Sequence, residues 1–450
     1  MTNKELLLKA LRNEKTQRDP WVPFVGVHGG NLINCPADEY LKSGEKIAEG
    51  ILKANELYSP DGIPILFDLQ IEAELLGCEV QWAEKVPPSV VSHPLETGNI
   101  EDLPEFSTEK GRFPEVKKAL KTVKDKIGDD VALYGLITGP FTLALHLFGN
   151  NIFLDMLMNP DKIKNILTYC SEIATTTAKF YIENGADVIA LVDPMTSQIS
   201  PEHFNEFITS VVNSIFDFIR QEKALSSLFV CGDATRNLEE MCKTSCDNIS
   251  IDEQISLEYL KSLSTKYDKS IGGNLQLTAV LLFGDETDCK INAINCLEAG
   301  GTKGFVLSPG CDIPYDCPPK NLIAVSEVAH DEYKRNIAKT LVARKPDDSA
   351  VNVTLPDYEN SKKVIIEIIT LDSASCPPCF YMVEAVKKAS SIFSLKVDIR
   401  EYKISTKEGL AYMQKLQVKN LPTICINGEI AYSSIIPDIE TLKSTIMSYF

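Results

Sequence analysis

The sequence predicts an α/β protein: a (β/α)8 TIM barrel over residues 1–341, a linker over 342–361 and a smaller α/β domain over 362–450. Three observations carry that reading. Eight short apolar runs alternate with longer stretches at helical spacing over the first three quarters of the chain. The alternation breaks off in a run of prolines, charges and turn formers. A second, independent β–α–β–α–β–β–α order follows it. At 450 residues the chain is also too long for one ordinary core.

The barrel strands are expected at Trp21–Gly26, Gly62–Leu69, Val131–Gly139, Asp187–Asp193, Ser226–Gly232, Asn248–Asp252, Ser270–Gln276 and Gly304–Cys311. They are near-continuous Val/Ile/Leu/Phe runs, as strands covered on both faces require. Between them Asp161–Glu183 repeats apolar residues at helical spacing, and Ser200-Pro201 opens a helix with serine at the N-cap and proline in the first turn. Val131–Gly149 holds no formal charge over nineteen residues. Its glycines, Pro140 and His146 predict a buried strand, a turn and a buried helix rather than a membrane span.

In the smaller domain, strands are expected at Lys363–Leu371, Leu395–Tyr402, Thr423–Asn427 and Glu429–Tyr432, the last two joined across Asn427-Gly428. Helices are expected at Pro377–Ser390, Lys407–Leu416 and Asp438–Tyr449.

Composition narrows the function classes. The formal net charge is −18, which opposes a nucleic-acid partner because phosphate binding needs a positive field. Residues 361–450 carry eleven Lys and Arg against nine Asp and Glu, so the acidity lies in the barrel. Thirteen cysteines and a start without the basic-then-apolar form of an export signal predict a reducing, cytoplasmic setting with no membrane partner.

Cys376-Pro-Pro-Cys379 follows an apolar strand and opens a helix. A thiolate at Cys376 would sit at the helix N-terminus, where the macrodipole and free N–H groups favour it. Leu421-Pro422-Thr423 begins the strand expected beside the dithiol. Over 361–450 these motifs, in this β/α order, resemble thioredoxins and glutaredoxins. The resemblance implies a thiol–disulfide domain with Cys376 and Cys379 as the redox pair and Pro422 as the cis-proline next to it.

Function in such a barrel sits at the C-terminal ends of the strands. His28, Asp68, Thr138, Asp193, Cys231, Asp252, Asn274 and Cys311 fall there. Of these, Asp68 is the candidate acid or base, with Glu72 and Glu74 close by, and His28, Asp193 and Asn274 are candidate substrate contacts. Cys242 and Cys246 read as structural, and His146, His203 and His330 as ordinary helix residues.

In order along the chain come Phe24-Val-Gly-Val-His28-Gly, Phe67-Asp-Leu-Gln-Ile-Glu-Ala-Glu74, Gly77-Cys-Glu-Val80, Gly135-Leu-Ile-Thr-Gly-Pro-Phe-Thr-Leu143, Gly185-Ala-Asp-Val-Ile189, Asp193-Pro194, Gly273-Asn274 and Ser308-Pro-Gly-Cys311. The set resembles the methylcobamide:coenzyme M methyltransferase branch of the uroporphyrinogen decarboxylase superfamily over about 1–340. That resemblance implies zinc held by a His-x-Cys pair and a later cysteine. Cys231 and Cys311 match the two cysteines, but Phe229 stands where the histidine belongs. Three outcomes stay open: another ligand from His28, Glu72, Asp193, Asp252 or Glu253 completes the site; two thiolates hold zinc weakly; or no zinc binds and the acceptor is a pterin such as tetrahydrofolate.

The Asp-x-His-x-x-Gly pattern of cobalamin-binding domains is absent. The resemblance therefore implies a corrinoid carried by a partner protein, with a small-molecule methyl acceptor or donor in the barrel. The expected function is methyl transfer between that corrinoid and a small acceptor, a thiol or tetrahydrofolate. A uroporphyrinogen decarboxylase-like carboxy-lyase is a second reading, opposed by the lack of arginine between Arg18 and Arg112. A non-catalytic barrel that recruits the redox domain to a corrinoid or thiol partner is a third. The tethered dithiol would keep Cys231 and Cys311 reduced, or reduce a disulfide on the substrate thiol or the partner.

Overall fold

The computed structural model describes residues 1–341, 351, 353–374, 376–393 and 396–450. Most of the first half of the expected linker, and Leu395 at the start of an expected strand, lie outside the described residues.

Seven strands form one parallel sheet in chain order: β1 (Gly62–Pro64), β2 (Ala132–Thr138), β3 (Val188–Val192), β4 (Leu225–Val230), β5 (Asn248–Ile251), β6 (Ser270–Leu275) and β7 (Phe305–Pro309). The expected strand Trp21–Gly26 is not a regular strand. It makes one parallel bridge, Trp21 to Leu307. Leu307 N–H donates to Pro20 O and Val22 N–H to Leu307 O, both at 2.9 Å, and on the other side Asp61 N–H donates to Trp21 O at 2.9 Å. This segment therefore joins β7 to β1 and closes the ring. Pro20 and Pro23 bring no N–H, which limits the ladder to those bonds. The buried Asp61 fixes the closure: its carboxylate accepts both Arg18 Nη groups at 2.7 and 2.6 Å and the Trp21 N–H at 2.8 Å. β1 likewise ends at Pro64, short of the expected Leu69.

Strand alternation divides the core. Ala132, Tyr134 and Leu136 on β2 and Val188, Ala190 and Val192 on β3 share the inner cluster with Phe24, Phe67 and Phe229. Leu133, Ile137, Ile189 and Leu191 belong to the outer layer beneath the helices. The helix Asn3–Leu11 plugs the N-terminal end, adding Leu7, Ala10 and Leu11 to the inner cluster.

The uncharged stretch after Val131 is β2 followed by the helix Pro140–Phe148, every residue of which is buried. The next helix, Ile152–Met158, bends away by 102°, and no single helix among the described residues is long and apolar enough to cross a membrane. The expected helix after Asp161 runs Pro160–Glu183, and Ser200 caps its helix by accepting the His203 N–H at 3.2 Å.

The smaller domain has a mixed four-stranded sheet. β8 (Val364–Thr370) is central, with β9 (Val397–Lys403) parallel to it and β10 (Thr423–Ile426) antiparallel. β11 (Glu429–Ser433) pairs with β10 at the edge. The hairpin turn sets Asn427 and Gly428 at φ 48° and 80°, as a two-residue turn with both centres left-handed requires. Helices Pro377–Ser390 and Ile439–Met447 cover one face through Met382, Val386 and Leu442. Helix Lys407–Lys415 covers the other with Leu410 and Leu416. The described part of the expected linker packs on this domain: Val353 is buried, and the Tyr358 hydroxyl meets both oxygens of the Glu367 carboxylate at 2.9 Å.

Candidate active site at the barrel mouth

The smaller domain lies across the C-terminal end of the barrel strands. The loop before β10 is tied down twice: Asn420 Nδ2 donates to Asp233 Oδ2 at 2.9 Å, and Leu421 N–H to Gln254 Oε1 at 2.7 Å. Ser89 Oγ donates to Ala374 O at 2.6 Å, just before the dithiol. Tyr381, one turn into the dithiol helix, is buried against the barrel. Its hydroxyl donates to Leu145 O at 3.2 Å and meets His146 Nδ1 at 2.9 Å. His146, expected to be an ordinary helix residue, is thus a contact between domains. Burial lowers its pKa to about 3, so it stays neutral.

Between the domains lies a cavity of about 280 Å³. The barrel lines it with Gln70, Cys231, Asp252, Thr278, Cys311 and Asp312. The smaller domain lines it with Cys376, Cys379 and Pro422. The local folds explain the cysteines. Phe229 points into the barrel, and Cys231, two residues on, shares its face above it. Cys311 follows β7. Cys311 packs against the inner cluster that holds Cys231; burial, with Cys311 next, pushes Cys231 well above the usual thiol range. Cys376 is the N-cap of Pro377–Ser390, and its Sγ accepts the Cys379 N–H at 3.4 Å. Cys376 and Cys379 are joined as a disulfide, Cys379 is fully buried, and the Leu421–Pro422 peptide is cis.

Several residues expected at the mouth do not line the cavity and hold the frame instead. His28 is buried between Tyr58 Oη (2.7 Å) and Tyr315 O (3.1 Å), with burial lowering its pKa to about 4. Asp193 accepts the N–H groups of Phe141 and Thr142 at 3.1 and 2.8 Å and the Thr142 hydroxyl at 2.6 Å, capping Pro140–Phe148. Asn274 donates to Asp252 O and Ile255 O at 3.0 and 2.7 Å. Asp68 pairs with Arg112 Nη1 at 2.6 Å and accepts the Gln70 N–H at 2.9 Å. Glu72 accepts from Thr138, its hydroxyl at 2.7 Å and its N–H at 3.2 Å.

The zinc set implied by the sequence does not assemble. Phe229 is fully buried with its ring 4.8 Å from that of Phe24 and 6.1 Å from that of Phe67, so an aromatic cluster fills the histidine position. Asp252 is committed to Gly232 N–H at 2.7 Å and to Gln254. Glu253 accepts the Leu277 N–H and does not line the cavity. Among the described residues no group of three or more His, Cys, Asp or Glu is placed to hold a metal ion. Two adjacent thiols alone fall short of the four-coordinate donor set zinc prefers.

Three cavity residues were not foreseen. Gln70 and Thr278 line the cavity, and their Oε1 and Oγ1 atoms are buried with no hydrogen-bond partner among the described residues. Both follow the C-terminal ends of barrel strands, and that rule alone could have found them. Asp312, next to Cys311, accepts the Gly26 N–H at 2.8 Å, and a Cβ on Gly26 would lie 2.4 Å from its Oδ1. Burial raises Asp312 well above the usual carboxylate range and raises Asp252 too.

Residues 2–332 match the profile of the family described as uroporphyrinogen decarboxylase (URO-D). The chain belongs to the uroporphyrinogen decarboxylase family. Among its relatives, a methylcobamide:CoM methyltransferase, MtbA, of Methanosarcina mazei is 30% identical over 339 residues, covering 73% of this chain and 97% of that protein. A second, MtaA of Methanosarcina barkeri, is 30% identical over 297 residues, covering 64% and 85%. A solved structure described as a methyltransferase from Methanosarcina mazei superposes with a TM-score of 0.68 at 26% identity, covering 76% of this chain and all of that one.

Proposed function

We propose that residues 1–341 transfer a methyl group between a corrinoid carried by a partner protein and a small acceptor seated in the mouth cavity, and that residues 362–450 form a thioredoxin-like thiol–disulfide domain. The observation that carries the first half is end-to-end similarity to methylcobamide:CoM methyltransferases at 30% identity, with the cavity at the strand ends where barrel chemistry resides. The corrinoid, when docked, supplies the methyl group on cobalt. The chain's own part is to bind and orient the acceptor and to take its proton. Gln70 and Thr278 are the polar contacts, set in position by the Asp68–Arg112 pair and by β6. Asp252 lines the cavity with its carboxylate held by Gly232 and Gln254, and burial raises its pKa. The acceptor is a thiol or tetrahydrofolate, activated without a three-ligand zinc site.

The second half rests on the Cys376–Cys379 pair at a helix N-cap beside a cis-proline, within a β9-β8-β10-β11 sheet. A carboxy-lyase acting on a polycarboxylate fits less well, since among the described residues no arginine lines the cavity. A barrel that only recruits the dithiol domain is favoured by one observation, the buried Phe229 in the ligand position.

The test is product identity. The full chain is incubated with methylcobalamin carrying a ¹³C methyl group, with either coenzyme M or tetrahydrofolate, and products are read by NMR. A new thioether or N-methyl signal that depends on the chain supports transfer and names the acceptor. No labelled product with either acceptor favours the recruiting barrel.

A further inference from the structure

We infer that Cys231 and Cys311 form a redox pair, not a degenerate metal site, and that the Cys376–Cys379 dithiol reduces their disulfide across the mouth cavity. The inference rests on the dithiol reading of residues 362–450 and is independent of methyl transfer.

Four observations converge. Cys231 belongs to the inner apolar cluster against which Cys311 packs, and both line the cavity. Phe229 and the committed carboxylate of Asp252 leave them without the further ligands that would make them metal thiolates. Two thiols at one cavity wall are oxidised to a disulfide by a peroxide, which takes up their two electrons and two protons and leaves as two waters. Facing them, Cys376 and Cys379 line the same cavity. Finally, the loops on either side of the dithiol are fastened to the barrel, at Ala374 through Ser89 and at Leu421 through Gln254. The dithiol's reactive edge is therefore held against the barrel, where a pair within the same chain has a high effective concentration.

The exchange balances as two thiol–disulfide steps. Cys376 Sγ attacks Cys311 Sγ, because Cys311 is the more exposed of the two. The Cys231–Cys311 bond breaks, and Cys231 takes up the proton that Cys376 gives up. Cys379 Sγ then attacks Cys376 Sγ, the mixed disulfide breaks, and Cys311 takes up the Cys379 proton. Two electrons and two protons pass to the barrel pair, leaving Cys376–Cys379 oxidised and Cys231 and Cys311 as free thiols. An external dithiol reductant returns Cys376 and Cys379 to thiols.

The test uses full-length protein in which Cys379→Ser removes the resolving thiol. The protein is treated with diamide, digested without reductant and analysed by mass spectrometry. A peptide pair joined through Cys376 and Cys311 is expected, absent when Cys311→Ser is added. In a second measurement the wild-type and Cys376→Ser chains are oxidised, then given the dithiol reductant. Free thiol at Cys231 and Cys311 is expected to return at least tenfold more slowly in the variant. Equal recovery rates, or no Cys376–Cys311 linkage while Cys376 still reacts with maleimide, overturn the inference. Neither result bears on labelled-methyl transfer, so the two readings fail separately.

Discussion

Asp68→Asn separates a positioning carboxylate from a catalytic one. Asp68 is fully buried and bound at 2.6 Å to an Arg112 whose side chain is 9% exposed. Arg112 keeps a second partner, Glu74, at 2.7 Å. Breaking a buried pair from one side costs about 3–5 kcal/mol, and the surviving Glu74 contact places this case near about 3 kcal/mol. With an unfolding entropy of about 2.1 cal/mol/K per residue over the barrel, that corresponds to a Tm lowered by about 4 °C. The asparagine oxygen still accepts the Gln70 N–H, so the Gln70 turn survives. Calorimetry and steady-state kinetics on the same preparation check this: Tm falls, and turnover well below Tm stays within a few-fold of wild type. An unchanged Tm with turnover lost by orders of magnitude would refute the positioning role and make Asp68 part of the chemistry.

Other expected outcomes follow from single contacts. Glu72 is raised by burial from its usual 4.5 to about 7. Its stabilising share is full below about pH 4.5 and is lost as pH rises through 7. Glu72→Gln is therefore expected to raise Tm relative to wild type at pH 8, by the equivalent of about 3 kcal/mol at most, and to leave it unchanged near pH 4; thermal melts across that range check it. Phe229→His supplies the missing donor beside Cys231 and Cys311, and about one zinc per chain is expected in that variant against none in wild type, read by elemental analysis of protein purified without oxygen. Tyr381→Phe removes the hydroxyl that meets His146 and Leu145. A cost of about 1–3 kcal/mol at the domain contact is expected, seen as faster hydrogen exchange in Pro140–Phe148.

The parts of the fold that could be read from sequence were those encoded by local pattern. The buried strands β2 and β3 are near-continuous apolar runs, and Pro377 and the Asn427-Gly428 turn mark their elements directly. Trp21–Gly26 misled because its apolar run is interrupted at Pro23 and preceded by Pro20, which leave a bridge in place of a strand. At the site, strand-end position located Cys231 and Cys311 but could not reveal where each polar side chain would find its partner. His28, Asp193 and Asn274 stand at strand ends, yet their hydrogen bonds go to tyrosines, a helix start and backbone carbonyls. Gln70 and Thr278 carry no motif and stand out in sequence only by following strand ends. The docking of the two domains joins residues as distant as Ser89 and Ala374, or His146 and Tyr381, and no local pattern encodes it.

Methyl transfer by the barrel is tested most directly by following the cobalt–methyl absorbance of methylcobalamin in the presence of the reduced full-length chain and each acceptor in turn. Acceptor-dependent loss of that absorbance is expected, with KM for the acceptor raised several-fold in Thr278→Val and in Gln70→Ala. Folded chain with free Cys376 and Cys379 that leaves methylcobalamin intact with both coenzyme M and tetrahydrofolate would contradict a methyltransferase barrel.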